Sequence, residues 1–157
     1  MSGEKHEPYL LTALTPELCC SDIAASLAFY TQVLGFTVQY ERPEEGFAML
    51  ERQGSRLMLN EVRATPRRGS DHAWLTGKLE KPYGRGINFE MCTQDVEVLY
   101  VRVQKAGAKI FLPIGEMWYR RDDHYVGNRQ FLVQDPDGYL LRFAEGLGTR
   151  AAPPKGL

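Results

Sequence analysis

Histidine and cysteine are scarce in this chain, tryptophan is scarcer still, and no stretch stays apolar for long. The three cysteines, Cys19, Cys20 and Cys92, form an odd set without a CxxC spacing, which argues against a disulfide framework, a structural zinc site or a dithiol redox pair. Cys19 and Cys20 are neighbours in a strand-like stretch and therefore point to opposite faces, so the expectation is three reduced, mostly buried thiols. His6, His72 and His124 lie far apart and match no ligand motif. No run approaches the ~20 apolar residues of a membrane helix, and the opening "MSGEKHEPYL" lacks the apolar core of a signal peptide. A cytoplasmic location without a membrane partner is expected. The formal net charge is −1, which offers no basic footprint for nucleic acid. P-loop, GxGxxG and Ser–His–Asp arrangements are missing as well.

What the chain does have is a phrase written twice: "ELCCSD" at 17–22 and "EMCTQD" at 90–95. In the first copy "TPELCC" (15–20) reads as a strand and "SD" as the cap of a helix. Ile23, Leu27, Tyr30 and Leu34 then recur at helical intervals, and Gly35 closes the helix. "FTVQYER" (36–42) is a strand, "PEEG" a turn, and "FAMLERQGSRLMLNEV" a hairpin turning at Gly54. The second copy repeats the order. "INFEMC" (87–92) is a strand, Val96, Leu99, Val103 and Ala106 mark a helix stripe, Gly107 ends it, and "AKIFLP" (108–113) is a strand. "NRQFLVQDPDGYLLRF" (128–143) is a hairpin with a "DPDG" turn. Setting Gly54 on Gly138 brings Phe47 onto Phe131, Leu57 onto Leu141 and Glu61 onto Glu145. The expected fold is α+β: two tandem βαβββ units whose curved mixed sheets enclose a concave cavity. The expected boundaries are an N-terminal extension at 1–13, units at 14–63 and 86–145, a basic connecting loop at 64–85 that includes Trp74, and a frayed tail at 146–157.

The paired units, with "SDIAASLAFYTQVLGF", "FLVQDPDGYLLRFAE", "GFAMLERQGSRLMLNEV" and "GINFEM", resemble the vicinal-oxygen-chelate superfamily of glyoxalase I, extradiol dioxygenases and bleomycin resistance proteins, and most of all its bleomycin-resistance branch. The resemblance implies a homodimer with the site in the concave face of the paired sheets, often with units exchanged between subunits. It also implies four metal positions in the superfamily's enzymes, which fall here on Thr15, Met58, Asn88 and Arg142. None of these is a good ligand for a divalent transition metal, and Arg142 brings a positive charge. Glu17 and Glu90 repeat two residues further along, where pairing with Arg56 and Arg142 is expected, or, for Glu90 and Arg142, contact with a polar ligand.

The reading is therefore a protein without a metal, a cofactor or a catalytic residue. Its partner would be a small amphipathic or aromatic ligand, held in a crevice of a homodimer and resembling bleomycin. Aromatic stacking is expected from Tyr40, Phe47, Trp118 and Tyr119, the last two placed in the long connection before the second hairpin. Phe36, Tyr40 and Phe47 alternatively serve the core or the dimer interface. Glu61, Glu90, Asn88 and Arg142 supply polar contacts, and Glu44, Glu45, Glu116, Asp122 and Asp123 could add an acidic strip. The alternative is a lyase, isomerase or dioxygenase of the same superfamily, using a metal on unexpected ligands or an acidic general base.

Overall fold

The computed structural model describes residues 11–63 and 74–152, and His6 and His72 lie outside them. The first unit runs β1 (Glu17–Cys20), α1 (Ile23–Ala28), a π-helical turn (Phe29–Val33), β2 (Thr37–Arg42), β3 (Phe47–Arg52) and β4 (Ser55–Glu61). The second runs β5 (Asn88–Cys92), α2 (Val96–Lys105), β6 (Ile110–Arg121), β7 (His124–Gln134) and β8 (Leu140–Arg150). Each unit is one four-stranded sheet, ordered β1-β4-β3-β2 and β5-β8-β7-β6. The β1/β4 and β5/β8 pairs are parallel and the remaining pairs antiparallel. Among the described residues no helix is long and apolar enough to cross a membrane.

Local chemistry explains the elements. Asp22 caps α1, its side chain accepting from the Ala25 amide at 3.1 Å. Gly35 leaves that helix at φ +77°, in left-handed space where a Cβ is costly. On α2, Val96, Leu99 and Val103 are buried, whereas Ala106 sits at the exposed C-cap and ends the apolar stripe one residue early. These residues join Tyr30, Leu34, Leu50 and Leu59 of the first unit and Phe131, Leu141 and Phe143 of the second in one shared core. Neither unit buries a core of this size alone.

Two differences from the sequence expectation bear on function. β6 continues to Arg121 and turns at Asp122–Asp123 into β7, so Trp118 and Tyr119 belong to a strand rather than to a connection. β8 likewise continues through Gly146–Arg150, with Arg150 opposite Tyr125. A long β6–β7 hairpin presents unpaired backbone, and the final residues satisfy it as ladder partners.

The units hold each other through reciprocal contacts. The Ser21 amide donates to Asp137 Oδ2 at 2.9 Å, and, at the matching place in the other unit, the Gln94 amide donates to Gln53 Oε1 at 3.0 Å. Each unit's helix entrance is thus met by the other unit's hairpin turn. Within each unit, Glu61 and Glu145 occupy matching places, accepting from the amides of Ile23 at 2.9 Å and Val96 at 3.3 Å at the starts of α1 and α2.

Burial alone would raise the Asp137 carboxyl, but the bonds from Ser21 and Lys81 prevail and hold it below the usual range. Asp95 is also lowered, the bonds from Thr93 and Arg52 overcoming its burial. Asp135 moves upward because desolvation outweighs the amides and the Tyr30 hydroxyl that donate to it. Groups with depressed folded pKa values contribute stability above the unfolded value of about 3.9 and lose it as pH falls through the folded value. Asp135 has the opposite sign. The urea midpoint should therefore drop below about pH 4. Asp135 acts above that window, destabilising the fold at neutral pH and releasing the penalty as pH falls towards its unfolded value. Asp135→Asn should therefore remove a rise in the urea midpoint between neutral pH and about pH 4 and leave the fall below pH 4 in place, as urea titrations between pH 3 and pH 7 would register.

Candidate ligand site

β1 and the approach to it, the start of β4, and β5 border a cavity of about 270 Å³ at the seam between the units. Leu18, Leu57, Phe89 and Met91 supply apolar wall, while Asn88 and Glu90 bring polar groups from the end and middle of β5. An apolar hollow with few polar groups is the usual form of a small-molecule site. Strand alternation makes this possible: Met91 reaches the core, whereas Asn88, Glu90 and Cys92 remain exposed on β5.

Glu90 lines the cavity and also pairs with Arg142, its register partner on β8. Leu132 of β7 lies opposite Arg142, and Gln130, two residues earlier, lies opposite Ala144. The side chains of Glu90, Arg142, Leu132 and Gln130 therefore share the sheet face turned away from the core. Gln130 Nε2 donates to the Tyr119 hydroxyl oxygen at 2.9 Å, which brings Tyr119 to this face. Gln130 Oε1 and Arg142 Nε are buried without a hydrogen-bond partner.

Adjacent strand residues diverge, so Trp118 lies on the opposite face of β6 from Tyr119. Its ring covers Gly127, where an added Cβ would come within 2.6 Å of the indole, and the Arg150 guanidinium stands 4.1 Å from the ring centroid. A planar ligand could stack on Trp118 only by displacing Arg150. Tyr40 and Phe47 meet at 5.9 Å on the first sheet, with the Arg42 guanidinium 3.9 Å from the Phe47 ring. Glu61 is engaged by the α1 amide and by Arg63 at 3.3 Å. The structure thus brings Asn88, Glu90, Arg142 and Tyr119 to one region, places Tyr40 and Phe47 on another sheet, and sends Trp118 to a different face. Trp74 is 85% exposed in the chain by itself.

The donor set does not suit a transition metal. Glu17 accepts from Asn60 Nδ2 at 2.8 Å, Thr15 shares a 2.5 Å hydrogen bond with Thr12, and Glu90 is occupied by Arg142. Among the described residues no three His, Cys, Asp or Glu side chains are grouped to hold a metal ion. His124 pairs with Asp123 at the exposed β6–β7 turn. Burial raises the Cys19 thiol and pushes Cys20 up to about 12, so neither is a nucleophile at neutral pH. Gln130 is the residue that sequence reasoning missed. Its polar neighbours Arg129 and Gln134 make "RQFLVQ" look solvent-facing, and nothing local announces that Gln130 is buried.

The geometry defines a class: a paired βαβββ protein with an apolar seam cavity and a closed ion pair beside it. The sequence profile of the glyoxalase/bleomycin resistance protein/dioxygenase superfamily matches residues 12–143, and the chain belongs to that superfamily. It is 29% identical over 136 residues to a bleomycin resistance protein of Geobacillus stearothermophilus, covering 82% of this chain and 92% of that one. TioX from Micromonospora sp. ML1 has the same fold, with a TM-score of 0.63 and 23% identity over 87% of this chain and 99% of its own. A superfamily member from Nocardioides superposes with a TM-score of 0.60 and 21% identity, covering 96% and 92% of the two chains.

Proposed function

We propose that this protein binds and sequesters a small, partly aromatic ligand of the bleomycin class, without making or breaking bonds and without a metal. The observation that carries the reading is the position of Glu90. A carboxylate that lines the cavity is paired with Arg142 instead of standing in a ligating cluster. Similarity to a bleomycin resistance protein supports the ligand class. The apolar wall would take the ligand's hydrophobic part, and Asn88, Glu90, Arg142 and Tyr119 its polar groups. Tyr40, exposed beside the buried Phe47, offers a second aromatic contact. This reading takes the working form as a homodimer, supported by the exposed Val38 and Tyr40 along β2, and places it in the cytoplasm.

Calorimetric titration with metal-free bleomycin tests this directly. Saturable binding with Kd below about 1 μM, near −8 kcal/mol, is the expected result. Arg142→Met should weaken it at least tenfold by removing a charged donor from the ligand's polar groups, while Trp118→Ala should change it less than threefold. No heat at high micromolar drug overturns the assignment. Stoichiometric zinc, iron, manganese or nickel in protein purified without chelator would shift it to the superfamily's enzymes.

A further inference from the structure

Buried polar atoms in folded proteins are nearly always hydrogen-bonded, so two unpartnered ones on a single sheet face call for an explanation. Gln130 is 3% exposed, with Nε2 bonded to Tyr119 and Oε1 bonded to nothing. Arg142 gives Nη2 to Glu90 and leaves Nε without an acceptor. Through the β7–β8 register the two residues are diagonal neighbours, whose Cα atoms stand about 7–8 Å apart in such a ladder. Oε1 can only accept and Nε–H can only donate. The pair therefore presents one acceptor and one charged donor, carried on separate side chains from adjacent strands.

We propose that Gln130 and Arg142 form a subsite for an amide edge of the ligand, meaning a carboxamide, carbamoyl or lactam group, and that Tyr119 covers this subsite until the ligand arrives; this rests on the reading that the second sheet's open face takes a small molecule. An amide offers a strong carbonyl acceptor to Nε–H and an N–H donor to Oε1 in one rigid plane. A carboxylate, ketone or ester lacks the donor and sets oxygen against oxygen. An ammonium group lacks the acceptor and meets the Arg142 charge. Both orphaned atoms lie beneath other side chains, and Tyr119, whose hydroxyl rests on the Gln130 amide, is 42% exposed. Rotating Tyr119 outward uncovers the amide without disturbing the core.

The test uses the full chain and simple probes. In ¹⁵N–¹H NMR titrations, benzamide should shift the Gln130 side-chain NH₂ signals and the β7 and β8 amides. It should bind at least tenfold more tightly than benzoate, acetophenone or benzyl alcohol. Gln130→Met should abolish that preference while the thermal midpoint stays unchanged or rises, since the substitution removes an orphaned acceptor. A purely structural glutamine would give a lower midpoint with the preference unaltered. Equal binding of benzamide and benzyl alcohol, no benzamide binding, or a preference that survives in Gln130→Met overturns the proposal. Metal-free bleomycin separates the two readings. Tight drug binding that is equal in wild type and Gln130→Met sinks the amide subsite alone. A Gln130-dependent benzamide preference without drug binding upholds the subsite and discards the antibiotic.

Discussion

Replacing Arg52 by Met should cost this protein about 3 kcal/mol, the low end of what breaking a buried charge pair costs. Arg52 comes from the end of β3, is 7% exposed, and spends its whole guanidinium on contacts that close the molecule. Nε donates to the Leu34 carbonyl at 2.9 Å, where the first helix ends. Nη1 reaches Thr93 Oγ1 at 2.8 Å and Nη2 reaches Asp95 Oδ1 at 2.5 Å, both at the entrance of α2 in the other unit. Methionine keeps much of the side chain's bulk and removes all three donors, leaving the Leu34 carbonyl and Thr93 without this partner. Asp95 is about one-third exposed at its side chain and can recruit water, which is why the low end of the range applies. The urea midpoint should fall by about 1.5 M if the slope is near 2 kcal/mol/M. Arg52→Lys should recover little, because a single ammonium cannot span three acceptors in different directions. Arg102→Ala, which loses one exposed bond to the Gln32 carbonyl, is the control and should change stability by less than about 1 kcal/mol. A loss below about 1 kcal/mol in Arg52→Met would show that these three bonds contribute little to joining the units.

The second large effect separates two glycines that the duplication makes equivalent. Gly54 and Gly138 end the matching turns at φ +86° and +101°, so alanine at either position is strained. Around Gly54 an added Cβ meets nothing within 4 Å, and Gly54→Ala should cost about 1 kcal/mol, the strain alone. Around Gly138 the same atom would come within 2.7 Å of Pro82 Cα and 3.2 Å of the Tyr83 nitrogen. Backbone cannot swing aside as a side-chain tip does. Gly138→Ala must therefore push the 82–83 segment off the turn and disturb the Tyr83 amide bond to the Asp137 carbonyl, at 2.8 Å. Strain and overpacking together should cost about 3 kcal/mol or more. Matched thermal or urea unfolding of the two variants tests this, and equal losses would mean that the connector's seat on the turn contributes nothing.

Most of the architecture was legible in the residues. Helix phase in Leu99 and Val103, the cap at Asp22, the closing turn at Gly35 and the doubled order of elements are all set by interactions among near neighbours in the chain.

The site was less legible. Trp118 and Tyr119 look alike in sequence, and only the continuation of β6 to Arg121 sends them to opposite faces. Glu61 looks like a free carboxylate until the Ile23 amide is found on it. Gln130 looks solvated until its burial and the neighbouring Arg142 are seen together. The sequence by itself determined two copies of a strand–helix–hairpin unit and where each turns, since backbone preference and hydrophobic period act over a few residues. Tertiary structure alone decided which turn clasps which helix, which aromatic shares the sheet face of Gln130 and Arg142, and which polar atoms go unpaired. Those outcomes depend on register between segments far apart in the chain, and a one-residue slip would reverse every one of the faces involved.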